Sequence, residues 1–188
     1  MSITNHIKDL KNILSISFLF CFIFAFNSVR SENLKRVVNL EGTWQFTVGD
    51  DIKWAEHKYN DADWDYVYVP KSWENNGFNE YNGFAWYRKK FQLEESYDER
   101  TLFLVLGRID DVDEVYFNGH LIGATGIFPP RVKTAYDVNR KYYIPDEIIN
   151  YNGKNVVAVR VYDEFGEGGI LSGPVGIFYD EDNNLLSY

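Results

Sequence analysis

Asp110-Asp111-Val112-Asp113-Glu114-Val115-Tyr116-Phe117-Asn118-Gly119-His120-Leu121-Ile122-Gly123 is a β-hairpin written in sequence. Val115 and Phe117 alternate with Glu114 and Tyr116. Asn118-Gly119 supplies two residues that tolerate positive φ, and His120, Leu121 and Ile122 form the return strand. Asn-Gly between two apolar runs is the strongest short-range hairpin signal. The run from Thr101 to Leu106 reads as a buried neighbouring strand. Four acids, Asp110, Asp111, Asp113 and Glu114, crowd the mouth of the hairpin. Asp side chains there ordinarily cap their own backbone; the alternative is a ligand or cation site at the end of a sandwich.

Outward from the hairpin, the same alternation recurs. Trp44, Phe46 and Val48 alternate with Thr43, Gln45 and Thr47. Tyr66 to Val69 is a short strand stopped by Pro70. Ala85, Tyr87, Phe91 and Leu93 share one face of a long strand, with Trp86, Arg88, Lys90 and Gln92 on the other. Lys141 to Ile144 and Val175 to Tyr179 are strands, and Val156, Val157, Val159 and Val161 mark the most strongly β segment. Pro145 to Ile149 reads as one helical turn with Pro at its start. About nine short strands separated by turns predict an all-β chain, a jelly-roll β-sandwich. Trp44, Trp64 and Trp86 are expected in its core.

The chain of 188 residues is long enough for one domain with a real core. The 14 Tyr, 14 Phe and 5 Trp favour pleated, half-buried surfaces. A formal charge of −9 argues against a nucleic-acid partner, whose phosphates need the opposite sign. At the N-terminus, Lys8 and Lys11 precede an apolar run from Ile13 to Phe26. That run is short for a membrane span and right for a secretory signal. Val29-Arg30-Ser31 offers a cleavage site, so 1–31 is expected to be a signal peptide and 32–188 a single secreted or periplasmic domain. An uncleaved anchor is the alternative. Cleavage would also remove Cys21, the one cysteine, so the exported domain would rely on its core alone.

Several motifs follow one another in a familiar order: Gly42-Thr-Trp-Gln-Phe, Trp64 through Pro70, and Tyr81-Asn-Gly-Phe-Ala-Trp-Tyr-Arg88. The Asp110 to Gly119 stretch and Asn155-Val-Val-Ala-Val-Arg-Val-Tyr162 complete the series. Together they resemble the galactose-binding-like, jelly-roll sugar-binding domain at the N-terminus of family 2 glycoside hydrolases of the β-galactosidase type. Similar domains accompany sialate O-acetylesterases and some bacterial sensor ectodomains. The resemblance covers 38–179. It implies a sandwich that binds carbohydrate, with a partner hydrolase chain as its working context. In those proteins a catalytic barrel or esterase domain follows. Here the chain ends nine residues after Tyr179, so a non-catalytic domain is expected.

The residues themselves point the same way. There is no Gly-x-Ser-x-Gly elbow, and His57 and His120 lack metal-ligand spacing, which leaves no zinc site. No cofactor is expected, apart from a structural Ca²⁺ that Asp61 with Asp63, or Asp110 with Asp111 and Asp113, could hold through hard oxygen ligands. Sugar binding asks for a flat aromatic ring under the C–H face and a few fixed polar groups for the hydroxyls. The long loops offer them: Trp73, Glu74, Tyr81 and Asn82 in 70–83, Phe128 and Arg131 in 124–135, and Asp163 and Glu167 in 163–173. Trp73 reads equally as a stacking platform or as a buried anchor. The acidic balance of the set favours neutral or amino sugars, in a polysaccharide or glycan, over acidic ones. A structural or sensor interaction module, or a remnant of a longer hydrolase, is the alternative function; a hydrolase acting alone is a weaker third.

Overall fold

The structure, a computed structural model, describes residues 33–181. The expected signal peptide, 1–31, lies outside the described residues. Eleven strands run β1 (Leu34–Asn39), β2 (Gly42–Val48), β3 (Asp65–Val69), β4 (Gly83–Gln92), β5 (Leu102–Asp110), β6 (Val112–Phe117), β7 (His120–Thr125), β8 (Asn139–Ile144), β9 (Lys154–Asp163), β10 (Gly169–Ser172) and β11 (Gly176–Asp180). They form two antiparallel sheets. The larger has the order β3-β2-β4-β9-β6-β7; in the smaller, β1 pairs with β11, and β5 pairs with β11, β10 and β8.

The hairpin forms as read. Asn118 and Gly119 have φ of 51° and 90°, and Phe117 lies opposite His120. The Asn118 side chain also braces its surroundings, since its amide donates to the Ile148 carbonyl and its oxygen accepts from Val156 N–H. Two strands exceed the nine read from sequence. Strand β1 carries Lys35 and Arg36 and, among the described residues, has only one strand partner, β11, so its apolar alternation is blurred. Strand β10 lies within the Gly-rich 163–173 segment expected to be wholly loop. It pairs with the last three residues of β5, and at that contact a Cβ on Gly107 would stand 1.9 Å from the Ser172 carbonyl oxygen. Glycine is the residue that permits so close an approach, at a φ of 62°.

Alternation fills the space between the sheets. Val157, Val159 and Val161 of β9 meet Trp44, Phe46, Tyr87, Val115 and Phe117 from the same sheet, and Leu102, Leu104, Leu106, Ile144 and Ile177 from the other. The far side of the larger sheet is not left to solvent. Trp86 and Tyr116 are buried there against Trp54 and Trp64, which arrive from the segment that links β2 to β3. Trp44 is thus in the inter-sheet core as expected, whereas Trp86 and Trp64 belong to this second, outer cluster. Arg88 is buried beneath it, its Nε donating to Asp61 at 2.9 Å, and Lys90 reaches the other Asp61 oxygen. Two cationic side chains already neutralise Asp61, which leaves it no unmet charge for a metal ion and corrects the Asp61–Asp63 reading.

At the outer edge of the larger sheet, Tyr68 of β3 meets the Asn76 side chain. Tyr68 N–H donates to Asn76 Oδ1 at 2.8 Å, and Asn76 Nδ2 donates to the Tyr68 carbonyl at 3.1 Å.

Candidate functional site

Two crossovers between the sheets lie side by side. Strand β5 of the smaller sheet passes to β6 of the larger through Asp110-Asp111, and β9 of the larger returns to β10 of the smaller through 163–169. Gly169 pairs with Asp110, and Gly83 with Asp163, so both crossovers leave at the same end. The Asp110–Asp111 peptide is cis. The carboxylates of Asp110, Asp111 and Asp163 meet there, with an oxygen of each within 4.8 Å of the others.

The three long loops join at this end. Trp73 N–H donates to the Gly168 carbonyl at 3.0 Å, and Lys71 N–H to that of Ile170 at 2.8 Å, which ties 70–83 to 163–173. Gly168 N–H in turn donates to the Glu74 carboxylate. The third loop arrives through Asp111: Thr134 Oγ1 donates to one of its oxygens and Glu164 N–H to the other, at 3.1 Å for the latter. Ala135 N–H donates to the Asp111 carbonyl at 2.9 Å.

Not every expected residue is available to a ligand. Trp73 is 0% exposed, its Nε1 donating to the Tyr81 carbonyl at 3.1 Å, so it is a core residue and offers no ring face. Its neighbours explain why: Tyr81 packs edge-on at 5.5 Å, Phe46 lies at 6.1 Å, and Gly168 lies against the indole. Tyr81 is half-buried, its hydroxyl donating to the Phe84 carbonyl at 2.5 Å. Glu74 is half-buried on Gly168. Asn82, Arg131 and Glu167 are exposed, Glu167 accepting from Asn75 at 3.5 Å. Asp163 is fully buried. Phe128 lies on the outer face of the larger sheet, parallel to Phe84 at 5.8 Å, with the Arg160 guanidinium 4.4 Å from its ring centre. It therefore packs in a separate group, with Arg160 fixed by Asp50 and Glu114.

Sequence reasoning missed Phe165, a ring 87% exposed at the tip of the 163–169 crossover. It also counted Asp113 among the cation ligands. The structure corrects this: Asp113 is buried on Arg140 Nε at 2.7 Å and on the Tyr142 hydroxyl at 2.5 Å. Asp163 takes its place in the acidic group.

Residues 49–166 match the model of the β-galactosidase second all-beta domain. The chain belongs to this family. Solved glycoside hydrolases share the fold. A Bacteroides uniformis β-glucuronidase is 20% identical, with a TM-score of 0.63 over 79% of this chain and 18% of that one. A β-glucuronidase from glycoside hydrolase family 2 is 18% identical, with a TM-score of 0.65 over 81% and 18%. One from Ruminococcus gnavus is 17% identical, with a TM-score of 0.64 over 82% and 31%. The chain thus spans less than a third of these proteins' length. No curated protein matches it. As a second all-beta domain, it is an accessory β-sandwich of the kind found in family 2 glycoside hydrolases.

Burial, with the neighbouring carboxylates, sets the charge at the domain's loop-bearing end. Burial and then Asp111, by hydrogen bond and by charge, push Asp110 up to about 7. Burial and the Asp111 charge push Asp163 up to about 6. Burial also raises Asp111, but hydrogen bonds from Asp110, Thr134 and Glu164 N–H outweigh it and leave Asp111 low. The folded state therefore holds more protons than the unfolded chain between about pH 4 and pH 7 at Asp110 and Asp163. Stability from these two groups is present below that window and lost as pH rises through it. With divalent cations chelated, the unfolding free energy is expected to rise on going from pH 8 to pH 5, by on the order of 1–3 kcal/mol after discounting for solvent screening. Thermal melts across that range check this; a midpoint that falls steadily toward pH 5 would contradict the assigned shifts.

Proposed function

We propose that this is an exported, non-catalytic carbohydrate-binding domain that serves a glycoside-degrading system of the family 2 type. The observation that carries the reading is the meeting of three long loops at one end of a family 2 accessory sandwich, where loops rather than strands present side chains to a ligand. Phe165 takes the stacking role that Trp73 cannot fill. Asn82 and Glu167 are exposed polar groups on the two loops that the Trp73–Gly168 bond joins. The acids at this end favour neutral or amino sugars. Export rests on the Lys8 to Ser31 pattern in the sequence.

The test is retention on immobilised neutral and amino-sugar polysaccharides, or on a glycan array. Wild type is expected to be retarded weakly, because a shallow site buries little area and its sugar hydroxyls must give up water. Phe165→Ala should lose that retention with its unfolding midpoint unchanged. Retention of the variant at the wild-type level would move the site elsewhere. A wild type that binds no glycan would favour the second reading, an interaction module without sugar affinity. Tyr66 and Tyr68, 65% and 57% exposed on edge strand β3, support that reading.

A further inference from the structure

Asp61, Asp113 and Asp163 are three fully buried carboxylates, and they are not treated alike. Asp61 has Arg88 and Lys90; Asp113 has Arg140 and the Tyr142 hydroxyl. Among the described residues, neither oxygen of Asp163 has a hydrogen-bond partner. The Phe165 N–H favours its charged form but lies outside hydrogen-bonding geometry. A buried carboxylate without a donor is costly, and native structures almost always supply one. Arg140 is close enough to act on Asp110 and Asp111 through its charge. The hydrogen bonds of Arg140, however, go to Asp113 and to the carbonyls of Ala135, Val138 and Asp111, and none goes to Asp163.

We propose that Asp110, Asp111 and Asp163 hold one divalent cation, with Ca²⁺ the ion that fits. All three donors are hard carboxylate oxygens, which Ca²⁺ takes at about 2.3–2.6 Å. Two oxygens on one such ion lie no more than about 5 Å apart, and these oxygens all lie within 4.8 Å of one another. With no nitrogen or sulfur donor in the group, zinc is disfavoured. The ion would supply Asp163 with the partner it lacks. It would also tie the β5–β6 crossover to the β9–β10 crossover. Thr134 and Glu164 N–H hold the Asp111 carboxylate in place. Protons compete for the same oxygens, so binding weakens on acidification.

The experiment uses chelator-treated protein at pH 7.5, with no sugar present, so it stands apart from the carbohydrate reading. Calorimetric titration with CaCl₂ should show one saturable site. The melting temperature should rise by about 5–10 °C at a hundredfold excess over the dissociation constant. Asp163→Asn should weaken Ca²⁺ binding by at least about a hundredfold, while its metal-free form melts no lower than metal-free wild type because a buried charge is gone. If that variant does not fold, Asp110→Asn is read in the same way. Wild type with no saturable heat and no melting shift up to about 10 mM Ca²⁺ would overturn the proposal. So would an Asn variant that keeps the wild-type response.

Discussion

Trp73→Ala is expected to destabilise the domain by about 3–5 kcal/mol, as large aromatic truncations in cores do. The indole is 0% exposed and lies between Tyr81 and Phe46. Gly168 packs so closely that a Cβ there would stand 2.1 Å from the ring. Truncation opens a cavity and also leaves the Tyr81 carbonyl without its indole donor. Because folded domains hold only about 5–15 kcal/mol in reserve, the variant should lose a large share of its stability. Urea unfolding measures it. A midpoint within error of wild type would mean that the ring lies at the surface, and would make Trp73 a sugar-stacking candidate again.

Arg140→Met is the second large effect, again about 3–5 kcal/mol. The substitution removes the cation beside Asp113, a carboxylate that then keeps only the Tyr142 hydroxyl. It also strips donors from the carbonyls of Ala135, Val138 and Asp111. A buried ion pair adds little net stability over apolar residues of similar volume, but half of one is expensive. The double variant Arg140→Met/Asp113→Leu should therefore recover part of the loss. Denaturant unfolding of the two single variants and the double variant gives the coupling directly. If Arg140→Met alone costs under about 1 kcal/mol, Arg140 and Asp113 do not form a buried, mutually dependent pair.

How far the sequence carried the reading depends on the range of the forces involved. The Asn118-Gly119 turn and the valines of β9 were legible because turn chemistry and alternation are local. Strand β10 was not: its four residues include a glycine, and only pairing with Ile109 and its neighbours makes them a strand. The outer burial of Trp86 and Arg88 depends on a segment that folds back over the sheet, and nothing in the alternation of β4 announces it. The acids at the hairpin mouth were visible as a group, but their true company was not. Asp113 turns inward to Arg140, while Asp163 arrives from a crossover far along the chain; 53 residues separate Asp111 from Glu164, its backbone donor. The pairing of β10 with β5, and of β6 with β9, brings the two crossovers together. Trp73 could be read either way because a loop tryptophan carries no periodicity to say which way it points.

The Asn76 amide at the margin of β3 has a consequence for the molecule in a crowd. An unpaired strand edge invites a neighbouring chain to continue the sheet, and repetition of that step builds a fibre. Here the N–H and C=O of Tyr68 are both engaged by one side chain of the same molecule, which imitates the missing strand for a single residue. An incoming strand would have to displace that amide before making its first pair of bonds. Strand β3 is only five residues long, so blocking one of its outward pairs leaves too short a template for growth. Asn76 acts as a chain terminator at that residue of the sheet border, beside the exposed rings of Tyr66 and Tyr68.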